Sequence, residues 1–446
     1  MNKDTEIRKT ALETLITIEK NNIPSHVVIK DVLDKYDYLE KSEKALLSAI
    51  IKGTIERRIE LDYVLDLFSK TPHNKMKMSV RIILEMGVYQ ILYMKSHDSL
   101  AVNTSVEIAR KKGFSNLSGF VNAVLRNVVR NKDNISYPQK GEENYLSVKY
   151  SVPQNIINLL LSQYDNDTVE KMFKASLESD YVCIRISDKC SEKEKEEIKE
   201  DFKANGAKIS DIAGFENLFK LKGMGNITEY KSFSEGKIYI QDVGSYMLGM
   251  NVPYGNKILD TCAAPGGKSI FISERFPDSH IVSCDISEDK IQKIKDNVER
   301  CKTGNVEVKI SDATVFDPEF ENAFDVVVAD VPCSGLGVIG KKQDIKYRLT
   351  DEEFESLYEL QKNILKNVSK YVKKGGYLCY STCTVNKKEN EEQLQNLLKD
   401  GRFVKDKLSF LPDCMKERGE YGFLTLMQGI DDSDGFFLSV LKKIKD

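Results

Sequence analysis

Two cysteines in the C-terminal half of the chain stand where a parallel sheet would present reactive groups. Cys333 lies in FDVVVADVPCSGLGVIG, just past an apolar run, and Cys383 follows the apolar run GGYLCYS. Because the carboxyl ends of neighbouring parallel strands open onto one crevice, both thiols are predicted to face it. A thiolate is strongly nucleophilic near neutral pH and adds to electrophilic carbon atoms. Cys284 and Cys379, which lie within predicted strands, are interpreted as buried packing residues.

A glycine-containing turn after an earlier predicted strand forms a second candidate site. The strand KILD ends at Asp260 and runs into TCAAPGGKS, where Pro265, Gly266 and Gly267 form a tight turn before a helix. Small residues let a ligand approach the backbone closely, and a helix N-terminus offers unpaired N–H groups. Lys268 stands at that helix start, where the helix dipole disfavours a cation, so we expect it to face an acidic group or the ligand.

Acidic residues at the ends of the next predicted strands extend this candidate ligand site. Asp285 ends the strand HIVSCD, 18 residues beyond Gly267, where a carboxylate can accept hydrogen bonds from both hydroxyls of a ribose. Asp312 follows the third strand, where its side chain or the adjacent backbone can meet the amine of an adenine. Each aspartate alone could be a strand-end or capping residue. Three acidic strand ends in register with a glycine loop instead predict an adenosine site.

The glycine loop lacks the GxGxxG pattern that holds a pyrophosphate, and it is not a P-loop. S-adenosylmethionine fits better, because it has an adenosine, a carboxylate and a sulfonium whose positive charge acidic neighbours favour. The two cysteines indicate which atom accepts the methyl group. C5 of cytosine is too weak a nucleophile to take a methyl group from a sulfonium unaided, and addition of a thiolate at C6 activates it. These residues together predict methyl transfer to cytosine C5.

The elements that must position these residues alternate between strand and helix from residue 236 onward. Apolar runs are separated by helical stretches such as SEDKIQKIKDNVERCK and EEFESLYELQKNILKNVSKYV. Such alternation predicts a parallel sheet with helices on both faces. We therefore predict a C-terminal α/β, Rossmann-like methyltransferase domain over residues 236–446. Residues 140–235 are predicted to form a small α+β segment that links the domains or binds RNA.

Residues 1–135 are predicted to form an all-α domain, because apolar residues recur at helical spacing with little proline or glycine. Residues 1–140 hold 23 Lys and Arg against 17 Asp and Glu, whereas the whole chain has a net charge of −3. This part is therefore the better surface for a polyanion. Arg126, Arg130 and Lys132 on the polar side of one helix are equally consistent with contact to an RNA backbone and with an ordinary solvated face.

Composition excludes several classes of protein. The chain has 446 residues, 41% hydrophobic and 30% charged, which is typical of a soluble protein with two or three domains. It has no long apolar run and no signal-peptide pattern near its start, so we predict a cytoplasmic protein without membrane contact. Its nine cysteines are scattered without a CxxC pair and it has only four histidines, which predicts reduced thiols and no metal site.

Taken together, DTCAAPGGKS, DVPCSGLGVIG and YSTCTVNKKENEEQ resemble the motifs of the RsmB (Sun/Fmu) family of RNA (cytosine-5) methyltransferases. The resemblance implies that Cys383 is the nucleophile, that Cys333 assists product release and that Asp330 bonds the target base. It also implies S-adenosylmethionine contacts at the following residues: Cys262, Ala263, Ala264, Pro265, Gly266, Gly267, Lys268, Asp285, Asp312 and Asp330. Val331 departs from the family pattern, which usually has alanine before the Pro-Cys pair.

The helical region resembles the RNA-binding NusB antitermination factor through GVYQILYM, AVNTSVEIARKK and GFVNAVLRNVVR. That pairing of domains implies the branch that methylates 16S ribosomal RNA, expected to act as a monomer on small-subunit RNA before full assembly. The same chemistry on transfer RNA or another ribosomal site is an open alternative. A non-catalytic ribosome-assembly protein would have no need for both strand-end cysteines, and a nicotinamide-dependent oxidoreductase would need the missing GxGxxG pattern.

Overall fold

The computed structural model describes residues 3–95, 97–419 and 421–446. They form two compact units. A helical unit consists of the chain up to Leu177 together with Ile339–Thr350, and an α/β unit consists of Glu178–Val338 and Asp351–Asp446. Across the described ranges, no helix combines the length and the apolar character that crossing a bilayer requires.

The helical unit is built from amphipathic helices around one apolar core. Its helices are α1 (Lys3–Asn21), α2 (Ser25–Lys35), α3 (Lys41–Glu56), α4 (Arg58–Phe68), α5 (Met78–Tyr93), α6 (Asp98–Lys111), α7 (Ser118–Asn131), α8 (Tyr145–Tyr150), α9 (Gln154–Leu161) and α10 (Asn166–Glu178). In α7, the buried residues Val121, Val124, Leu125 and Val128 recur at spacings of three and four, which gives one apolar face. The prediction of an all-α N-terminal domain is confirmed.

Residues 339–350, here named the crossover segment, are the part of the helical unit that comes from late in the chain. The Asp344 carboxylate is buried and accepts hydrogen bonds from the backbone N–H and the hydroxyl of Ser25, at 2.9 and 2.6 Å. The buried Lys346 donates to the backbone carbonyl of Glu56 at 2.9 Å. The sequence analysis assigned this segment to the methyltransferase domain, and no local pattern predicts that it groups with the helical unit.

A four-stranded antiparallel sheet begins the α/β unit, with strand order β2-β3-β1-β4. Its strands are β1 (Tyr181–Ile186), β2 (Lys208–Ile212), β3 (Phe215–Lys222) and β4 (Ile238–Ile240), and its helices are α11 (Glu192–Ala204) and α12 (Lys231–Ser234). Helix α11 is rich in charged residues. Ser191 begins it with a capping box, in which Glu194 and Ser191 bond each other's backbone.

An eight-stranded sheet carries the predicted site residues, with strand order β10-β12-β9-β8-β5-β6-β7 and β11 paired with β12. Its strands are β5 (Lys257–Asp260), β6 (His280–Asp285), β7 (Val306–Ile310), β8 (Phe324–Asp330), β9 (Val372–Thr382), β10 (Phe403–Lys405), β11 (Phe423–Leu426) and β12 (Phe436–Lys443). The helices of this region are α13 (Val243–Asn251), α14 (Gly267–Arg275), α15 (Glu288–Arg300), α16 (Asp351–Val368), α17 (Glu391–Leu398) and α18 (Lys416–Gly419).

The predictions of a Rossmann-like domain and of a parallel sheet over the strands β5 to β9 are confirmed, and the sheet continues into antiparallel strands that the sequence did not predict. Strands β5 to β9 pair in parallel, whereas β12 runs antiparallel to β9, and β10 and β11 run antiparallel to β12. An antiparallel neighbour needs no helical crossover, so these last strands do not follow the strand-helix alternation on which the prediction was based.

The predicted three-part division of the chain stays a prediction. Helices α8 and α9, which follow the polar stretch at 134–144, group with the helical unit, while strands β1 to β4 group with the α/β unit. The sequence places both sets within the segment 140–235. The two sheets themselves are separate.

A buried ion pair joins the four-stranded sheet to α14 within the α/β unit. The Arg185 guanidinium on β1 contacts the Glu274 carboxylate on α14 at 2.6 Å, and both side chains are almost completely buried. Glu274 also accepts hydrogen bonds from the hydroxyls of Ser187 and Tyr239, at 2.6 and 2.7 Å. Arg185 lies between two aromatic rings, which shield the pair from water.

We predict that Glu274→Gln lowers the free energy of unfolding by about 3–5 kcal/mol, because it leaves the buried Arg185 charge without an opposite charge beside it. Urea denaturation followed by circular dichroism measures the change. Replacing Arg185 and Glu274 together by methionine is expected to recover most of the loss. The exposed Glu197 on α11 provides the control Glu197→Gln, and equal stability of the two glutamine variants would contradict the prediction.

Candidate active site

The two strand-end cysteines meet beyond the carboxyl ends of β8 and β9, two central strands of the eight-stranded sheet. Strands β8 and β9 are parallel neighbours in which Asp330 lies opposite Ser381. The chain beyond each strand end carries Cys333 and Cys383, whose sulfur atoms lie 3.2 Å apart. Both cysteines are partly exposed to solvent. The structure therefore brings together two residues that are 50 positions apart in sequence.

The cysteines within the strands have a different environment. Cys284 on β6 and Cys379 on β9 are buried. Burial raises the pKa of each thiol to about 12, so both stay protonated at neutral pH. Their interpretation as packing residues is consistent with this position.

Close backbone contacts hold the loop after Cys333 in place. The Gly337 N–H donates to the Cys383 carbonyl oxygen at 3.0 Å, and the Gly435 N–H donates to the Gly337 carbonyl oxygen at 2.9 Å. A Cβ atom at Gly337 would overlap the Gly435 carbonyl and lie 2.8 Å from the Cys383 carbonyl oxygen. Only glycine fits this position, so the GLG sequence after Cys333 has a packing reason.

Asp330 is oriented by a cation and a hydroxyl before any ligand binds. The Lys268 ammonium lies 2.6 Å from one carboxylate oxygen, and the Ser381 hydroxyl donates to the other at 2.7 Å. Burial lowers the pKa of Lys268, but Asp330, with Asp260 and Cys383, more than offsets it, so the net shift is upward. Lys268 therefore keeps its charge, and the expectation that it faces an acidic group is confirmed.

Residues 262–268 comprise the loop after β5 and the first two residues of α14, and neighbouring strand ends fix the backbone of this loop. The Ala263 N–H donates to the Cys284 carbonyl at 2.9 Å, and the Ala264 N–H donates to the Asp285 carboxylate at 3.0 Å. Gly266 has φ 98°, a left-handed conformation that favours glycine, and α14 begins at the next residue. Burial beside acidic groups raises the pKa of the Cys262 thiol to about 12.

The predicted acidic residues differ in how they are engaged. Asp285 is buried, and its second oxygen accepts hydrogen bonds from the Ile286 N–H at 2.8 Å and the half-exposed Lys290 at 2.9 Å. Asp312 lies two residues beyond the end of β7, and one of its oxygens accepts from the N–H and hydroxyl of Thr314. Asp312 thus closes a local turn, the alternative that the sequence left open for each aspartate.

Asp260, at the end of β5, is one of the acidic strand ends that the sequence indicated, although the family resemblance implied no contact for it. It is completely buried, and one oxygen accepts from the Ser269 hydroxyl at 2.6 Å. Burial raises the pKa of this carboxyl group to about 6. Its other oxygen has no hydrogen-bond partner among the described residues. A buried oxygen of this kind suits a ligand that brings an N–H donor or a positive charge. Its place at a strand end was the available signal.

Glu389 is a residue that sequence reasoning missed. Its carboxylate is completely buried and accepts from the Ser334 N–H at 2.8 Å and the Ser334 hydroxyl at 2.5 Å. It also accepts from the side-chain amides of Asn386 and Gln361, at 3.0 and 2.9 Å. Ser334 follows Cys333 directly, and Asn386 lies three residues after Cys383. Glu389 therefore links the two cysteine loops.

The two sulfur atoms have different charged groups near them. The hydrogen bond with Cys383, burial and the nearby Glu389 carboxylate together raise the pKa of Cys333 well above its ordinary value. Lys268, in contrast, interacts electrostatically with Cys383. An electron pair on the Cys383 sulfur is thus favoured by a cation, whereas Cys333 is held in its thiol form first by its hydrogen bond with Cys383 and by burial, to which the Glu389 carboxylate adds.

Comparisons with known proteins match both the helical and the α/β parts of the chain. The family model for 16S rRNA methyltransferase RsmB/F matches residues 247–442, and the NusB family model matches residues 5–130. The crystal structure of PH0851 covers 99% of both chains with a TM-score of 0.80 at 22% sequence identity, and NSun6 from Pyrococcus horikoshii covers 66% of this chain and 99% of its own with a TM-score of 0.57 at 18% identity. These two structures support the fold.

Sequence relatives define the family. A ribosomal RNA small subunit methyltransferase B from Proteus mirabilis (strain HI4320) is 26% identical and covers 91% of this chain and 92% of its own length. The probable ribosomal RNA small subunit methyltransferase B of Bacillus subtilis (strain 168) is 31% identical over 99% of both chains. The chain therefore belongs to the ribosomal RNA small subunit methyltransferase B family, in which a NusB-type helical domain precedes a Rossmann-like methyltransferase domain.

Proposed function

We propose that this protein methylates C5 of a cytosine in 16S ribosomal RNA, with Cys383 as the covalent nucleophile and Cys333 as the residue that assists product release. The observation that carries the proposal is the 3.2 Å contact between the two sulfur atoms at the strand edge. A methyl transfer to a nucleophilic nitrogen or oxygen would need neither thiol. Two neighbouring thiols suit a reaction in which one sulfur activates a carbon atom by bonding to the base and the other assists the breaking of that bond.

The residues beside the cysteines fit S-adenosylmethionine. Asp285 stands where the ribose hydroxyls would be held, and the unpartnered oxygen of Asp260 suits the amino group of the methionine portion. The loop 262–268 carries only small side chains before Lys268, so its backbone is open to close contact. When bound, S-adenosylmethionine supplies the methyl group. Asp312 and Asp330 complete the proposed contacts.

The chemistry of the cytosine can be followed bond by bond. The Cys383 thiolate forms a bond to C6, and the electron pair of the C5–C6 double bond becomes available at C5. C5 would accept the methyl group from S-adenosylmethionine, whose methyl–sulfur bond would break to leave a neutral thioether. A base then removes the proton from C5. The C5–C6 double bond forms again as the C6–sulfur bond breaks, and the electron pair returns to the Cys383 sulfur.

Neighbouring groups favour this order of events. Lys268 favours negative charge at Cys383 both before attack and after release. Cys333 keeps its proton and lies within hydrogen-bonding distance of the Cys383 sulfur, which can accept that hydrogen bond as it leaves C6. Asp330 is already oriented by Lys268 and Ser381 and is proposed to bond the edge of the cytosine.

The helical unit is proposed to contact the RNA. Arg126 and Arg130 on α7 are exposed, while Lys132 is paired with Asp98 at 2.7 Å. Exposed cations of this kind neutralise phosphates without reading sequence. The small-subunit substrate is proposed because relatives with that name match over nearly the full chain, with both domains.

We predict that Cys383→Ala abolishes methyl transfer to RNA but leaves S-adenosylmethionine binding nearly unchanged, because the thiol attacks the base and does not hold the cofactor. Transfer of radiolabelled methyl groups and calorimetry measure the two properties. Cys414→Ala, at an exposed cysteine, is the control. Methylation by Cys383→Ala at more than a few percent of the wild-type rate would contradict the assignment.

We predict that Asp285→Ala weakens S-adenosylmethionine binding, because a charge-assisted hydrogen bond to a hydroxyl contributes about 1.5–3 kcal/mol before water compensates for part of it. Isothermal titration calorimetry gives the dissociation constant. The exposed Asp289, in the first turn of α15, provides the control Asp289→Ala. An unchanged constant in Asp285→Ala would mean that this aspartate only fixes the loop.

We predict that Cys333→Ala forms the covalent bond to RNA but releases it slowly. Incubation with substrate RNA and S-adenosylmethionine is then expected to give a slower-migrating protein–RNA species on a denaturing gel. Cys383→Ala and the double variant lack the linking sulfur and are expected to give none. A trapped species in Cys383→Ala that is absent from Cys333→Ala would reverse the two roles, and its absence from all variants would remove the release role of Cys333.

A further inference from the structure

Glu389 has an environment that a surface glutamate does not need. Its carboxylate is completely buried in the α/β unit, where an unpaired charge is strongly unfavourable. Four donors offset that cost: the N–H and hydroxyl of Ser334 and the side-chain amides of Asn386 and Gln361. No cation is among these partners. Hydrogen bonds from these four donors therefore stabilise the Glu389 charge, which can influence the ionisation of nearby groups.

The donors to Glu389 come from three separate elements. Ser334 belongs to the loop after β8, Asn386 to the loop after β9, and Gln361 to α16. The Gln361 amide also donates to the Pro332 carbonyl oxygen at 3.0 Å, and the Ser334 hydroxyl lies 2.7 Å from the Thr384 hydroxyl. Residues on both sides of Cys333 and the residue after Cys383 are thus bound into one buried network.

We propose that Glu389 is a positioning residue that holds the Cys333 loop against the Cys383 loop and keeps the proton of the thiol pair on Cys333. This inference deepens the proposed function and relies on it for the roles of the two cysteines. Glu389 does not reach the reacting atoms. It acts through Ser334, which fixes where the Cys333 sulfur lies, and through its negative charge, which disfavours a second anion at Cys333.

The charged groups around the pair are arranged to support this division. The hydrogen bond with Cys383 and burial raise the pKa of Cys333 most, and the Glu389 carboxylate raises it further. Lys268 interacts with Cys383, and Asp330 partly balances its charge. The anion lies on the Cys333 side and the cation on the Cys383 side. Removal of the Glu389 charge is therefore expected to make the two thiols more alike.

The test is the rate at which iodoacetamide alkylates each cysteine, resolved by mass spectrometry of the two peptides and measured as a function of pH on the full-length protein. In Glu389→Gln the side chain keeps its size but loses its charge and presents an amide to donors. We expect the ratio of Cys383 to Cys333 alkylation at pH 7–8 to fall several-fold, because loss of the Glu389 charge lowers the pKa of Cys333 and so raises its reactivity. The exposed Glu392 provides the control Glu392→Gln.

A second variant keeps the proposal testable if Glu389→Gln fails to fold. Ser334→Ala retains the Glu389 charge and removes one donor, so a smaller fall in the ratio is expected. An unchanged ratio in a folded Glu389→Gln, or in Ser334→Ala when the first variant is unfolded, overturns the proposal, even if the melting temperature falls. Alkylation needs neither RNA nor S-adenosylmethionine. If methylation of cytosine were disproved, this readout would still decide the positioning role, and if only the ratio failed to change, the proposed function would stand.

Discussion

The parallel pairing of β8 with β9 is the constraint on which the candidate site depends. Because Asp330 lies opposite Ser381 in this pair, the two chains leave the sheet side by side and in the same direction. Cys333 and Cys383 meet for that reason, although 50 residues separate them in sequence. Strand β5 is the parallel neighbour of β8 and leads into residues 262–268, where Lys268 contacts Asp330, so the candidate cofactor residues and both thiols lie at the carboxyl ends of adjacent strands.

Sheet pairing alone does not fix the loops beyond the strand ends, and two further features do. Gly337 and Gly435 permit a backbone contact that no larger residue allows, and the buried Glu389 collects donors from both loops. A buried carboxylate is stable only when its hydrogen bonds are satisfied, so loss of any one donor from this network is expected to raise the free energy of the folded state. With Lys268 near Cys383 and Glu389 near Cys333, position and charge together distinguish two chemically identical side chains.

The sequence predicted those parts of the structure that follow from local patterns. Strand ends at Asp260 and Asp285 were predicted because apolar runs stop there, and the helical domain was predicted from its periodicity. The crossover segment was missed because its packing partners, Ser25 and Glu56, are about 300 residues away in sequence. Glu389 was missed because a glutamate in the charged run NKKENEEQ is normally exposed, and its burial depends on Ser334 and Gln361, which no local pattern connects to it.

The central claim is that Cys383, not Cys333, forms the bond to the cytosine. Substrate RNA in which the target cytidine carries fluorine at C5 tests it directly, because a base cannot remove fluorine as it removes the proton, and the adduct cannot be released. Wild-type protein incubated with this RNA and S-adenosylmethionine is digested, and the peptide that carries the nucleotide is sequenced by mass spectrometry. The account predicts a nucleotide linked to Cys383. A nucleotide linked to Cys333, or RNA that is methylated without any linked peptide, would contradict it.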